Sequence, residues 1–421
     1  MKKSKYVLLI SLDAISNPDV DILLRQPAFA SLAAQGKLNR EVLSVPVSNT
    51  YPNHVSAITG ELPCEHGIWS NNFFRTDEKE YWNCYCENIK SPTIFDLVKL
   101  SGLKSASIMW PVTGGNRSID YNLPEIHADK GKFQLTENLK YGSTSYQLEM
   151  LARFLPTHMA FNIQTLDSFM TNCACRTIKK YKPNLLCLHL IAADTVKHEH
   201  GPSSSQALAE VIAMDKKLAK LIKALEQEGI REETAIVVMG DHGCLPTGRV
   251  IDLNAMLRAR GVRTQNSKPI SKRAPADSKT TSYSSSNPGT DEIGGDWEAC
   301  YHYMGGTAAL LLRDKDDSEI VSRETFFMEA MLRDPASGVK RYMPRDQFEK
   351  AGFPKNVLFC VEADKGCEFS AKPHGGHHGF CTDNSPEYTT FYMVSQSGMP
   401  PSQETGGCVK DIFGIIKQLL L

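Results

Sequence analysis

Five short apolar runs dominate the first 250 residues: Tyr6–Leu12, Val42–Val47, Ser105–Trp110, Leu185–Ile191 and Thr234–Met239. Segments patterned as helices lie between them, at Thr93–Leu100, Tyr146–Phe154 and Ser205–Leu225. In the last, Leu208, Val211, Ile212, Leu218, Ile222 and Leu225 recur near a period of 3.6. Strands alternating with helices predict an α/β fold: a mainly parallel sheet covered on both faces. Such folds gather ligands outside the carboxyl ends of their strands. Asp13, Thr50, Asp194 and Asp241 each fall just after one of these strands.

The pattern changes after Leu257. Residues 264–297 are rich in Ser, Lys, Pro, Thr and Gly and read as a long surface loop or partly disordered segment. Strand-like runs at Thr307–Leu312 and Val357–Val361 flank a helical stretch at Ser322–Leu332. Residues 254–365 are therefore expected to form a smaller inserted cap, with 1–253 and 366–421 forming the catalytic domain. A final strand at Thr389–Val394 and a helix at Val409–Leu420 close the chain.

A net charge of -1 argues against a general binder of nucleic-acid polymers, although bound cations can still draw in a nucleotide-sized anion. No stretch reaches the roughly 20 apolar residues that span a bilayer, so no membrane partner is expected. Lys2 and Lys3 before Tyr6–Ile10 imitate a signal peptide, but the run is short and meets Asp13 with no small-residue cleavage site. It reads as a buried strand, and a cytoplasmic protein is expected. Most of the 12 cysteines are then expected to be reduced thiols. Cys84-Tyr85-Cys86 and Cys173-Ala174-Cys175 lack the spacing of a zinc site.

Six candidate metal ligands end these runs: Asp13, Asp194, His198, Asp241, His242 and one histidine of Pro373–Phe380. Three aspartates and three histidines can hold two divalent ions about 4 Å apart, clamping the attacking and leaving oxygens of phosphoryl transfer. Asp194 and His198 are four apart, which puts both on one side of a helical turn. Asp241 and His242 follow a buried strand directly, where polar residues need a reason. Thr50 is the candidate nucleophile. Pro52 suits the first position of a short helix over His54–Thr59, ended by Gly60, and a helix N-terminus favours anions. A threonine there is also an ordinary helix cap. His66 and His189 read as hydrogen-bonded structural histidines, while His200 is either a support for the site or solvated.

Taken together, Ser11-Leu12-Asp13, Thr50-Tyr51-Pro52-Asn53-His54, Thr59-Gly60, Pro63 and His66-Gly67-Ile68 carry a resemblance, as do Trp110-Pro111, Asp194 through His198 to Gly201-Pro202, Asp241-His242-Gly243 and His378-Gly379-Phe380. In this order they resemble the nucleotide pyrophosphatase/phosphodiesterase (type I phosphodiesterase) family of the alkaline phosphatase superfamily. The resemblance implies an alkaline-phosphatase-like α/β/α sandwich with a smaller inserted cap. It implies a phosphodiesterase or nucleotide pyrophosphatase with two divalent ions, zinc first and manganese second. One ion would be held by Asp13, Thr50, Asp241 and His242, the other by Asp194, His198 and His378. His378 is preferred to His377 because it directly precedes Gly379-Phe380. Thr50 would attack phosphorus and form a covalent phospho-threonine that water hydrolyses. Asn71 matches the asparagine that binds a phosphoryl oxygen, and Tyr51 an aromatic position that stacks on a nucleotide base. The expected partner is a small phosphoester, with a nucleotide among the candidates.

Two positions depart from the family pattern, which often has glycine where this chain has Ala14 and Lys197. Lys197 would raise the positive potential of the pocket or point to solvent. Sulfatase chemistry is disfavoured because Thr50 and His54 occupy the key positions of the C/S-x-P-x-R motif. A cofactor-independent phosphoglycerate mutase would use serine and another histidine pattern. A phosphonoacetate hydrolase or phosphomonoesterase on the same scaffold is the enzymatic rival, and a metal- or nucleotide-binding protein without catalysis is the rival of another class.

Overall fold

Strand β1 (Tyr6–Leu12) is buried along its whole length between β7 (Leu185–Leu190) and β8 (Thr234–Gly240), parallel to both. Strands covered on both faces must be mainly apolar on both faces, which is why these three read as hydrophobic runs, interrupted near their ends by Ser11 in β1 and His189 in β7. The computed structural model describes residues 2–74, 81–129, 131–155, 163–264, 297–381 and 388–421. Outward from β7 lie β5 (Ser105–Ile108) and β6 (Tyr121–Leu123), both parallel. On the other side β16 (Thr389–Ser395) runs antiparallel to β8 and to β2 (Gly36–Leu43), and β17 (Ser402–Thr405) ends the sheet. The order β17-β2-β16-β8-β1-β7-β5-β6 makes a mostly parallel eight-stranded sheet.

Side chains alternate across β1. Leu8, Ile10 and Leu12 pack under Val20, Leu23, Phe29, Met214 and Leu218 on one face. Val7 and Leu9 pack against Ala57, Ile58, Phe95, Val98, Ile412 and Ile416 on the other. Helices Asn17–Leu23, Pro27–Ala33, Ile163–Lys180 and Ser205–Gln227 thus cover one face. Helices Thr50–Thr59, Ile94–Leu100 and Asp411–Leu420 cover the opposite one. This is the α/β/α sandwich. Each buried Leu or Ile contributes about 1.5–3 kcal/mol, so no single residue carries the fold.

Three further sheets are present among the described residues. One is antiparallel, in the order β10 (Ala299–Tyr303), β11 (Thr307–Leu312), β13 (Val357–Ala363), β12 (Val339–Pro344), and is covered by the helix Ser318–Arg333. Its other face meets Val47, three residues before Thr50. A small sheet places β9 (Leu245–Ile251) between β14 (Gly366–Phe369) and β15 (Gly376–His377). The last pairs β3 (Asn72–Phe73) with β4 (Tyr81–Trp82).

The strand expected at Val42–Val47 lies earlier, at Gly36–Leu43. Val47 takes a positive φ of 62°, which ends extended backbone, and the true strand alternates buried with half-exposed residues such as Arg40. The helix Ile163–Lys180 was not anticipated; Cys173 and Cys175 lie on it as free thiols. Most of the Ser/Lys/Pro-rich 264–297 segment lies outside the described residues. No helix among the described residues is long and apolar enough to cross a membrane.

Candidate two-metal site

The parallel register of β1 and β8 pairs Leu12 with Gly240, so Asp13 and Asp241 leave neighbouring strands at the same level. His242 comes with Asp241, and its Nε2 lies 3.4 Å from Asp13 Oδ1 and 3.2 Å from Asp241 Oδ2. Beyond β7 the helix Ala192–His200 begins, with Asp194 in its first turn and His198 one turn on. His198 Nε2 is 3.3 Å from Asp194 Oδ1. The loop after β15 delivers His378, whose Nε2 is 3.9 Å from the same oxygen and whose ring lies 4.1 Å from that of His242. Gly379, with φ 80°, lets this loop pass, since a Cβ there would stand 1.6 Å from the Met304 carbonyl. Thr50 opens the helix Thr50–Thr59, and its Oγ1 is 3.1 Å from His242 Nε2. The structure therefore brings together Asp13, Thr50, Asp194, His198, Asp241, His242 and His378.

The histidines share one orientation. Nδ1–H of His242 donates to the Gly243 carbonyl (3.1 Å), that of His198 to the Gly376 carbonyl (2.8 Å), and that of His378 to Asn49 Oδ1 (2.9 Å). Each ring thus turns its Nε2 inward, the orientation a metal ligand needs. The aspartates answer in kind. Asp13 Oδ1, Asp194 Oδ1 and Asp241 Oδ2 are buried and accept no hydrogen bond among the described residues. Burial, then the neighbouring Asp194 charge, raises the pKa of Asp13. Burial, then Asp13, pushes Asp241 well above the usual carboxylate range. At Asp194 burial opposes ionisation, but His198 and His378 overcome it and lower the pKa. Burial disfavours charge on His242 and His378, whereas Asp194 outweighs burial at His198 and raises it to about 9. Crowded carboxylates facing inward-turned imidazole nitrogens call for compensating cations. Mixed imidazole and carboxylate donors suit zinc or a similar divalent ion.

The nucleophile candidate is held firmly. Asn53 accepts from the Val45 amide and donates to the Asn49 carbonyl, and His54 Nδ1 lies 2.8 Å from the Thr50 carbonyl. Pro52 stands third in this helix rather than first, because the helix starts at Thr50 itself. Asn71 Oδ1 accepts from the Tyr51 amide at 2.8 Å, placing Asn71 beside the helix N-terminus. Tyr51 is fully buried, its hydroxyl donating to Glu125 Oε1 and its ring packed on Trp82. No face of Tyr51 is open to stack on a base, so that expectation is corrected.

His189 supports the site: its Nε2 lies 3.1 Å from Asp13 Oδ2, and its Nδ1 contacts the Met109 carbonyl and Glu125. Burial disfavours its charge, but hydrogen bonds with Asp13 and Glu125 outweigh that and raise its pKa. His66 is held by Ser56 and the Ile68 amide away from the ligands, and His200 is largely exposed. Lys197 neither faces the pocket nor points to solvent; buried, it donates to the Ala14 carbonyl and to Asp19 Oδ2, both at 2.7 Å. The two departures from the family pattern thus touch each other. Glu125 and Asn49 carry no signal in sequence, since their partners lie far along the chain.

The family described as type I phosphodiesterase/nucleotide pyrophosphatase matches residues 7–295. An uncharacterized pyrophosphatase/phosphodiesterase of Schizosaccharomyces pombe is 28% identical over 63% of this chain and 50% of its own length. Ectonucleotide pyrophosphatase/phosphodiesterase family member 1 of Homo sapiens is 25% identical over 52% of the chain and 21% of its own length. The matches thus span half or less of these relatives. Among solved structures, an inactive variant of murine ectonucleotide pyrophosphatase/phosphodiesterase 5 in complex with AMP superposes with a TM-score of 0.66. It is 17% identical, and the match covers 99% of this chain and 95% of that one. By the extent of the family match, this chain is a member of the type I phosphodiesterase/nucleotide pyrophosphatase family of the alkaline phosphatase superfamily.

Proposed function

We propose that this protein is a two-metal phosphodiesterase or nucleotide pyrophosphatase that works through a covalent phospho-threonine intermediate. The observation that carries the reading is Thr50 Oγ1, 3.1 Å from His242 Nε2 and set among three aspartates with unpartnered oxygens. Asp13, Thr50, Asp241 and His242 would hold one divalent ion, and Asp194, His198 and His378 the other. Zinc fits these donors, with manganese as a substitute. The ions, when bound, would offset charge on the phosphoryl group, which grows in the transition state.

The Thr50 hydroxyl attacks phosphorus as the bond to the leaving alcohol or phosphate breaks in line, and its proton passes by way of water to the leaving oxygen. Water then cleaves phospho-Thr50, releases a phosphate monoester and restores the hydroxyl. Dividing one displacement into two lets a single oxygen position serve both. Asn71, its Oδ1 occupied by the Tyr51 amide, would donate from Nδ2 to a phosphoryl oxygen. Asn53 and His54 keep the Thr50 turn from shifting. A nucleotide substrate is supported by AMP in the murine neighbour.

The test is hydrolysis of bis(p-nitrophenyl) phosphate against the p-nitrophenyl monoester, with zinc or manganese added. Diester turnover is expected to dominate, and Thr50→Ala to lower it on the order of 10³-fold or more. Full activity in Thr50→Ala would sink the nucleophile assignment. Turnover of phosphonoacetate alone, in a panel with a dinucleotide, a nucleoside triphosphate and a glycerophosphodiester, would overturn the diesterase reading.

A further inference from the structure

Next to the proposed two-ion cluster, but outside it, stand Glu368, His374 and His377. Their ligand atoms lie within 4.8 Å of one another. We propose that these three residues form a third divalent-metal site, selective for a zinc-like ion.

The small sheet assembles it. Glu368 on β14 pairs opposite Val250 of β9, while His377 on β15 pairs opposite Leu245 of the same strand. Glu368 is fully buried. Among the described residues no lysine or arginine lies within ion-pair reach of it; its neighbours are His374 Nδ1 at 2.9 Å and His377 Nε2 at 4.0 Å. A buried carboxylate hydrogen-bonded by one amide, with imidazoles as its only ionisable neighbours among the described residues, is costly unless they are charged or a cation joins them. The backbone already fixes two of the three groups. The His374 amide donates to Glu368 Oε1 at 2.8 Å, and His377 Nδ1 lies 3.2 Å from the His378 carbonyl, to which its N–H can donate, so that the Nε2 lone pair is left toward Glu368.

Tetrahedral zinc with bonds of 2.0–2.2 Å sets its ligands about 3.3 Å apart. The separations of 2.9 and 4.0 Å bracket that value. Two imidazoles and one carboxylate favour zinc over magnesium or calcium and leave a fourth position open. Ion binding at His374 Nδ1 displaces the proton shared with Glu368 Oε2, and that proton moves to His374 Nε2, so the ring stays neutral. The His374 side chain is 35% exposed, so water can relay the proton between the ring nitrogens and the ion can enter. The site shares no residue with the first two, since His198 and His378 direct Nε2 to Asp194, not to Glu368, although ligand atoms of His377, His198 and His378 also lie within 4.8 Å of one another. It adjoins them, with the His377 ring 4.6 Å from that of His198.

The experiment is zinc titration of the full chain, read as bound metal per chain after removal of free ion, for wild type, Glu368→Gln and His374→Ala. The expected result is three ions in wild type, with one of them bound at least tenfold more weakly in each variant. His374→Ala guards against misfolding of Glu368→Gln, because it alters a partly exposed side chain. Two ions in wild type and in both variants would overturn the proposal, as would three ions bound equally well in His374→Ala. A wild type from which Asp241→Asn removes nothing, but Glu368→Gln removes an ion, would sink the two-ion reading and leave this site standing.

Discussion

The two halves of the ligand set are built on different principles. Asp13, Asp241 and His242 sit at the ends of adjacent parallel strands, with side chains 0–5% exposed. Asp194 and His198 ride on a helical turn, and His378 on a loop from another sheet, with side chains 7–20% exposed. The first group is placed by strand register, which cannot slip without turning every buried side chain over. The second depends on the loop 374–378, anchored where the Gly375 amide meets the His198 carbonyl at 2.7 Å and the His198 ring meets Gly376. Precision comes from the sheet, and access from the helix and loop.

This contrast can be attacked at four points. Asp241→Asn strikes the strand-end group, and diester turnover is expected to fall on the order of 10³-fold while far-UV circular dichroism is unchanged. A loss below tenfold would mean that the sealed half is not where the chemistry is held. Lys197→Met leaves Asp19 buried without its cation, and denaturant unfolding should report a loss of about 3–5 kcal/mol. Unchanged stability would show that the Lys197–Asp19–Ala14 contact does not tie the two halves. Asn49→Ala removes the acceptor that orients His378, so binding of the loop-side ion should weaken about 10- to 100-fold in a zinc titration. Equal weakening of both ions would erase the contrast. Tyr51→Phe deletes only the hydroxyl's bond to Glu125 and its longer contact with Cys84 Sγ, together worth about 1 kcal/mol in thermal unfolding. The KM for a nucleotide substrate should not change, and a rise would return Tyr51 to the binding surface.

Much of the sandwich was legible because both-face burial forces nearly continuous apolar runs, and β1, β7 and β8 have them. Asp13 and Asp241 stood out for the same reason: a carboxylate ending such a run needs a purpose. Strands exposed on one face were harder. β2 and β9 mix Lys37, Arg40, Thr247 and Arg249 into their pattern, and their pairing is long-range. The Asp194/His198 pair was visible through its spacing on a helix. The roles of Glu125, Asn49 and Lys197 were not, because each is defined by a partner more than 70 residues away that only the packed fold supplies.

The position of β16 has a consequence for how the chain reaches its shape. β16 is a late strand in sequence but an interior one in the sheet, wedged between β2 and β8. During synthesis β2 emerges near the beginning and finds its neighbours β16 and β17 only after residue 389 has been made. At about 5–20 residues per second that wait lasts tens of seconds. Meanwhile β1, β7 and β8 can already pair, and the edge of β8 stays open. The nascent chain therefore passes through a half-sheet with an unfilled slot, and that slot is where chaperones or misplaced strands would act.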